Sequence, residues 1–195
     1  MGSVYVFLAE GFEEIEALAP VDMLRRAGVS VYTVGIAGKT VKGGQGIAVA
    51  ADLDGADFEL PQDAEMVVLP GGTVGTENLL KSPLIDSVLK EAERRGLFAA
   101  AICTAPVVLH KAGLLEDKRV TAYPTRQGEL TGSLVTGTAA EVDGRIITGR
   151  SAGVALQFSR ALITAMCGAD KADEVVRSIY PQEHPVLQKS VAPKE

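Results

Sequence analysis

The chain has 195 residues, 47% hydrophobic and 23% charged, the make-up of one globular domain with a full core rather than of a disordered chain. Its formal net charge of −6 argues against nucleic acid as a partner, because electrostatic binding to phosphates needs a surplus of Lys and Arg. Two cysteines, Cys103 and Cys167, are too few for a disulfide framework and lack metal-ligand spacing. Unpaired thiols fit a reducing compartment. The first apolar run, residues 4–9, is too short for a secretory leader or a membrane span. The chain therefore reads as cytoplasmic, with no membrane partner.

Residues 4–9 form a continuous apolar, β-rich run, the pattern of a strand buried on both faces. A helix is expected over 13–27, with Ile15, Leu18, Ala19 and Met23 near one side. Pro20 should kink or subdivide it, and Gly28 stops it behind Arg25 and Arg26, cations suited to a last turn. Residues 29–35 read as a second strand and the glycine-rich 40–50 as a small hairpin. Residues 66–69 make a third buried strand that ends at Pro70-Gly71-Gly72. Over 83–95, Leu84, Ile85, Val88, Leu89 and Ala92 fall at helical spacing. Residues 97–102 make a fourth strand leading into Cys103, and 106–112 a helix stopped at Gly113. A short strand over 120–123 and a hairpin over 141–148 turning at Asp143-Gly144 follow. A long helix spans 152–167, with Leu156, Leu162, Ile163 and Met166 on its buried side. A last helix covers 171–179, and the Pro-containing tail 180–195 is peripheral to a single domain. This alternation predicts the α/β class: a mostly parallel sheet with helices on both faces. Ligands of such sheets bind beyond the carboxyl ends of the strands, here residues 10–16, 70–75 and 103–106.

Cys103 sits where a strand turns into a helix, so its side chain is thrust up at the sheet edge. A free cysteine there is either inert packing or a nucleophile. The elbow favours the nucleophile, with the adjoining helix N-terminus lowering the thiol pKa. Gly71-Gly72 reads as a strand-ending turn. If it faces Cys103, one of its N–H groups and the Thr104 amide could hold an oxyanion. Glu13 and Glu14 read as acidic companions of a helix start. Glu16, one turn in, could exchange a proton with the thiol or with substrate, its pKa raised by a partly apolar pocket. His110 reads as structural or exposed, His184 as part of the tail, and Cys167 as core packing.

Four segments carry a family resemblance: Phe7-Leu8-Ala9-Glu10-Gly11-Phe12-Glu13-Glu14-Ile15-Glu16; Pro20-Val21-Asp22 with Leu24-Arg25-Arg26-Ala27-Gly28; Val67-Val68-Leu69-Pro70-Gly71-Gly72; and Ala100-Ala101-Ile102-Cys103-Thr104-Ala105-Pro106. In this order and spacing they resemble the ThiJ/PfpI superfamily, in the branch of the parkinsonism-associated deglycase and the bacterial ThiJ-type proteins. The resemblance implies a flavodoxin-like sandwich and a homodimer. It implies Cys103 as nucleophile, Glu16 as its carboxyl partner, and Gly72 and Thr104 as oxyanion amides. It places Tyr123 where human-like members carry a His, Gln45 where the family has a pocket Arg, and Arg150 before the turn Ser151-Ala152-Gly153-Val154. Thr104 stands where the family's proteases carry a His.

The activity so implied is a cysteine-dependent, glutathione-independent glyoxalase turning methylglyoxal into lactate, or a deglycase acting on glycated protein. The substrate is a small dicarbonyl or its adduct. No metal or organic cofactor is expected, since the chemistry is a nucleophile plus proton shuttling. The alternative is an oxidative-stress redox sensor or chaperone using the same cysteine. A small peptidase ranks last, because no His lies near Cys103 in sequence to protonate a leaving amine.

Overall fold

The first apolar run becomes β1 (Ser3–Leu8), all six residues buried, in a computed structural model that describes residues 2–180. Strand β1 pairs in parallel with β2 (Val31–Gly35) on one side and β6 (Ala64–Leu69) on the other. Beyond β6 lie β7 (Phe98–Ile102) and β11 (Ile146–Gly149), also parallel, and then the antiparallel edge strand β10 (Ala140–Asp143). The short β5 (Leu53–Asp54) closes the opposite edge, giving the order β10-β11-β7-β6-β1-β2-β5. Two-stranded additions are β3 (Thr40–Lys42) with β4 (Ala48–Ala50), and β8 (Arg119–Val120) with β9 (Leu134–Val135).

Period-two alternation along β1 feeds two cores. Val4, Val6 and Leu8 join α1 (Glu14–Arg26), α5 (Ala155–Cys167) and α6 (Ala169–Ile179) on one face, around Leu24, Phe158 and Leu162. Tyr5, Phe7 and Ala9 join α2 (Thr73–Leu80), α3 (Pro83–Arg95) and α4 (Pro106–Lys111) on the other, around Leu79, Leu89 and Leu109. Helix α3 is bounded by local chemistry. The Ser82 side chain accepts from the Ile85 N–H at its start, and Gly96 takes the left-handed conformation at its end.

Four expectations change. Helix α1 runs unbroken through Pro20, so the proline marks no subdivision; its missing N–H leaves the Glu16 carbonyl without an i+4 donor. On the same helix Ile15 (57% exposed) and Leu18 face outward, while Ala17, Val21, Met23 and Leu24 are buried. Leu156, expected on the buried side of the long helix, is exposed, and Ala155, Phe158 and Ser159 take the core positions. Around residue 120 the strand ends at Val120, and 124–129 form a 3₁₀ turn. Helix α2 has no counterpart in the sequence reading. The tail, with His184, lies outside the described residues.

Candidate active site

The three strand ends converge as expected. Cys103 follows β7 with φ +66°, one of two non-glycine residues with positive φ among those described. That conformation costs an L-residue about 1–2 kcal/mol. It is held at both ends: the Cys103 N–H donates to the Gly149 carbonyl at 2.8 Å, and the Cys103 carbonyl accepts the Tyr123 N–H at 2.7 Å. Strands β11 and β7 together with the 121–123 segment thus fix the elbow that carries the sulfur.

Glu16 is fully buried one turn into α1. Its Oε2 accepts the Gly71 N–H at 2.9 Å, while Oε1 is buried with no partner. The carboxyl and the Cys103 thiol lie within side-chain hydrogen-bonding reach of each other. Gly71 has to be glycine. A Cβ there would meet Glu16 Oε2 at 2.7 Å and the Cys103 Cβ at 2.9 Å. Gly72 is held at φ +96°, where a Cβ would lie 2.8 Å from the Glu13 nitrogen. The amides of Gly72 and Thr104 face the Cys103 sulfur and favour its ionised form.

Burial, the largest cause, raises the Glu16 carboxyl to about 7, against the hydrogen bonds from Cys103 and Gly71, and the neighbouring Glu13 charge adds to the rise. Burial also pushes the Cys103 thiol up, to about 12, aided by the adjacent Glu16 carboxylate, while the two amides pull it down. A helix N-terminus therefore does not by itself yield a low-pKa thiol here, which corrects the sequence reading. Helix α4 has only six residues, and burial first and Glu16 second raise the thiol. Between about pH 7 and about pH 12 the pair keeps one proton. That proton rests on the sulfur, the more basic of the two groups, and its transfer to Glu16 leaves a thiolate facing three donors: the Glu16 hydroxyl and the two amides.

The site opens into a cavity of about 380 Å³ lined by Glu13, Glu16, Gly72, Cys103, Thr104 and Tyr123, with residues 151–153 opposite. Tyr123 sits there as expected, 41% exposed. Arg150 and Gln45 do not line it. The Arg150 guanidinium donates to the Gly137 carbonyl at 3.1 Å. Gln45 is an exposed hairpin residue whose backbone N–H donates to Glu14 Oε1 at 2.9 Å. His110 is on α4, away from the cavity lining.

Two features escaped the sequence reading. Glu13, read there only as a helix-start acid, lines the cavity. Thr76 on α2 is fully buried, and its hydroxyl meets the Thr104 hydroxyl at 2.6 Å. This pair ties α2 to the residue after the nucleophile. The only sequence signal for it was two threonines in segments of unassigned relation.

A flavodoxin-like α/β sandwich with a cysteine on a strained strand-to-helix elbow, a buried carboxyl beside it and two amides on its sulfur defines the class of this molecule. The chain belongs to the DJ-1/PfpI family, whose model matches residues 2–165. It is 35% identical over 174 residues to the "Parkinson disease protein 7 homolog" of Danio rerio, covering 87% of this chain and 92% of that one. It is 27% identical to the "Glutathione-independent glyoxalase DJR-1.2" of Caenorhabditis elegans, covering 87% and 91%. The structure of "Toxoplasma gondii DJ-1, oxidized" superposes with a TM-score of 0.87 at 28% identity, over 92% of this chain and 98% of that one.

Proposed function

We propose that the chain is a glutathione-independent glyoxalase, and a deglycase on the adducts of the same dicarbonyls, with Cys103 as nucleophile and Glu16 as proton carrier. The observation that carries this reading is the one-proton Cys103–Glu16 pair beneath an open cavity. A glyoxalase needs a thiol and one group that can both take and give a proton near neutral pH, and a carboxyl at about 7 suits that work.

For methylglyoxal, the Cys103 sulfur bonds to the aldehyde carbon, and the proton held on Glu16 passes to the aldehyde oxygen, giving a hemithioacetal. The Gly72 and Thr104 amides, already directed at the sulfur, lie beside the new C–O bond and stabilise its developing charge. Glu16, now a carboxylate, removes the hydrogen on the carbon bonded to sulfur, leaving an enediolate whose charge sits on the former ketone oxygen. It returns that proton to the neighbouring carbon while the hydroxyl proton on the sulfur-bearing carbon passes to the adjacent oxygen, which makes a lactoyl thioester. Water attacks the thioester carbonyl, the C–S bond breaks, and the pair regains its single proton. The sum is methylglyoxal plus water to lactate and a proton, with no external reductant, oxidant or cofactor.

A second reading keeps the same thiolate. Hydrogen peroxide would take Cys103 to sulfenate and then sulfinate, whose oxygens the Gly72 and Thr104 amides and protonated Glu16 can hydrogen-bond. The name of the Toxoplasma gondii structure records an oxidised state for that protein. Exposed Ile15, Leu18 and Ile47 cluster where α1 meets the 43–47 turn, and we assign them to a homodimer contact.

The test is lactate formation from methylglyoxal without glutathione, in amine-free buffer, by the wild type and Cys103→Ala. Steady lactate production that Cys103→Ala abolishes supports the enzyme. Methylglyoxal loss without lactate, or equal rates in both proteins, overturns it.

A further inference from the structure

The cavity above Cys103 is charged in one sign only. The ionisable residues that line it, apart from the thiol and Tyr123, are Glu13 and Glu16; no Lys, Arg or His takes part. The nearest guanidinium groups in sequence are engaged elsewhere. Arg126 pairs with Glu77 at 3.1 Å and Glu129 at 2.7 Å, and Arg150 donates to the Gly137 carbonyl. Of the two carboxyls, Glu16 is fully buried and accepts the Gly71 N–H, whereas Glu13 is half-buried at the wall. The Glu13 backbone is fixed on both sides. Its N–H donates to the Gly71 carbonyl at 3.0 Å, and its carbonyl accepts from Glu16 N at 3.1 Å and Ala17 N at 3.2 Å. A negative charge so held, against a low-dielectric wall, is screened less than one in open solvent.

We propose that Glu13 is a specificity-determining residue that sets the charge class of electrophile reaching Cys103. Neutral and cationic carbonyl compounds are admitted, and those bearing a carboxylate or phosphate are turned away. The inference rests on Cys103 being the site's nucleophile and deepens the proposed function. Its substrate class becomes uncharged 2-oxoaldehydes and the carbonyl adducts of basic side chains, with 2-oxo acids excluded. The two parts of the site divide the work. The Gly72 and Thr104 amides meet the oxygen that becomes anionic at the reacting carbon, while the rest of the substrate lies in the field of Glu13. The contribution of Glu13 to the raised proton affinity of Glu16 shows that its charge is felt at the reacting centre.

The test reads Cys103 directly and needs no turnover. The intact protein is treated with two methanethiosulfonate reagents of similar size, one ending in trimethylammonium and one in sulfonate. The rate at the Cys103 peptide is followed by mass spectrometry, and each rate is divided by that of the same reagent with a small neutral thiol. This cancels intrinsic reactivity, and the ratio between reagents cancels the thiolate fraction.

Wild type should favour the cation by about tenfold, the size expected of one poorly screened charge at close range. Glu13→Gln should bring the ratio near one, and Glu13→Asp should keep the preference. Equal rates with both reagents in wild type, or a ratio unmoved by Glu13→Gln in a protein that melts like wild type, overturns the proposal. Failure of methylglyoxal turnover with the charge preference intact would remove the glyoxalase reading and leave this one standing. A Cys103 that neither reagent modifies would remove both.

Discussion

Glu16→Gln isolates what the buried acid does to stability. In the folded chain the carboxyl titrates at about 7, against an ordinary value of 4.5. Between those values the folded state keeps a proton that the unfolded state has released. Stability therefore falls as pH rises through this window. The shift of about 2.5 units corresponds to about 3 kcal/mol, present below the ordinary value and lost by pH 8. Glutamine keeps the shape and can still accept the Gly71 N–H, but it never ionises. The variant should therefore match wild type near pH 4 and be more stable by about 3 kcal/mol near pH 8. Urea unfolding of both proteins at the two pH values measures this, and other titrating groups cancel in the difference between variants. A stability difference that does not change with pH would refute the account of Glu16 as a buried, proton-retaining acid.

Thiol chemistry should follow the same pair. Alkylation of Cys103 by iodoacetamide should stay slow near neutral pH and rise as the thiol ionises toward about 12, and Glu16→Gln should move that rise to lower pH because the carboxylate that holds the thiol proton is gone. The Thr76–Thr104 hydroxyl pair should appear in a double-mutant cycle. Thr76→Val alone leaves a buried hydroxyl poorly satisfied and costs about 1–3 kcal/mol. Adding Thr104→Val should recover part of that loss, with a coupling of about 1 kcal/mol in chemical denaturation. Ile15→Glu, at an outward position on α1, should give a monomer in sedimentation with an unchanged far-ultraviolet spectrum; an unaltered dimer would displace the proposed contact.

The elements with strong local signals were legible. The apolar runs of β1, β6 and β7 and the heptad-like spacing of α3 left little choice of structure. Strand–helix alternation then fixed which loops share an edge of the sheet, which is why Glu16, Gly71, Gly72 and Cys103 could be brought together on paper. Helix α2 was hidden because its N-cap is a glycine at φ +96° and no side chain caps it. With α2 unseen, the partner of Thr104 was unseen too. Spacing on α1 and α5 identified apolar positions but not which apolar face is covered, so Ile15 and Leu18 were grouped on one side with the buried Met23, and Leu156 was assigned to a core it does not enter. Arg150 and Gln45 were placed at the pocket by resemblance. Arg150 precedes the lining residue Ser151, but its side chain donates to the Gly137 carbonyl, and Gln45 stays on an exposed turn. The Cys103 thiol was expected low from the helix alone. Its proton affinity is instead set by burial and by Glu16, quantities that exist only once the chain is folded.

The central claim is a division of labour in which Cys103 bonds to the substrate and Glu16 moves its proton. It is tested most directly by exposing Glu16→Gln to saturating methylglyoxal and reading the adduct by native mass spectrometry, with Cys103→Ala as the control, while assaying lactate. The account predicts a substrate-derived adduct on Cys103 and no lactate. Lactate at the wild-type rate, or the absence of any adduct on Cys103, would contradict it.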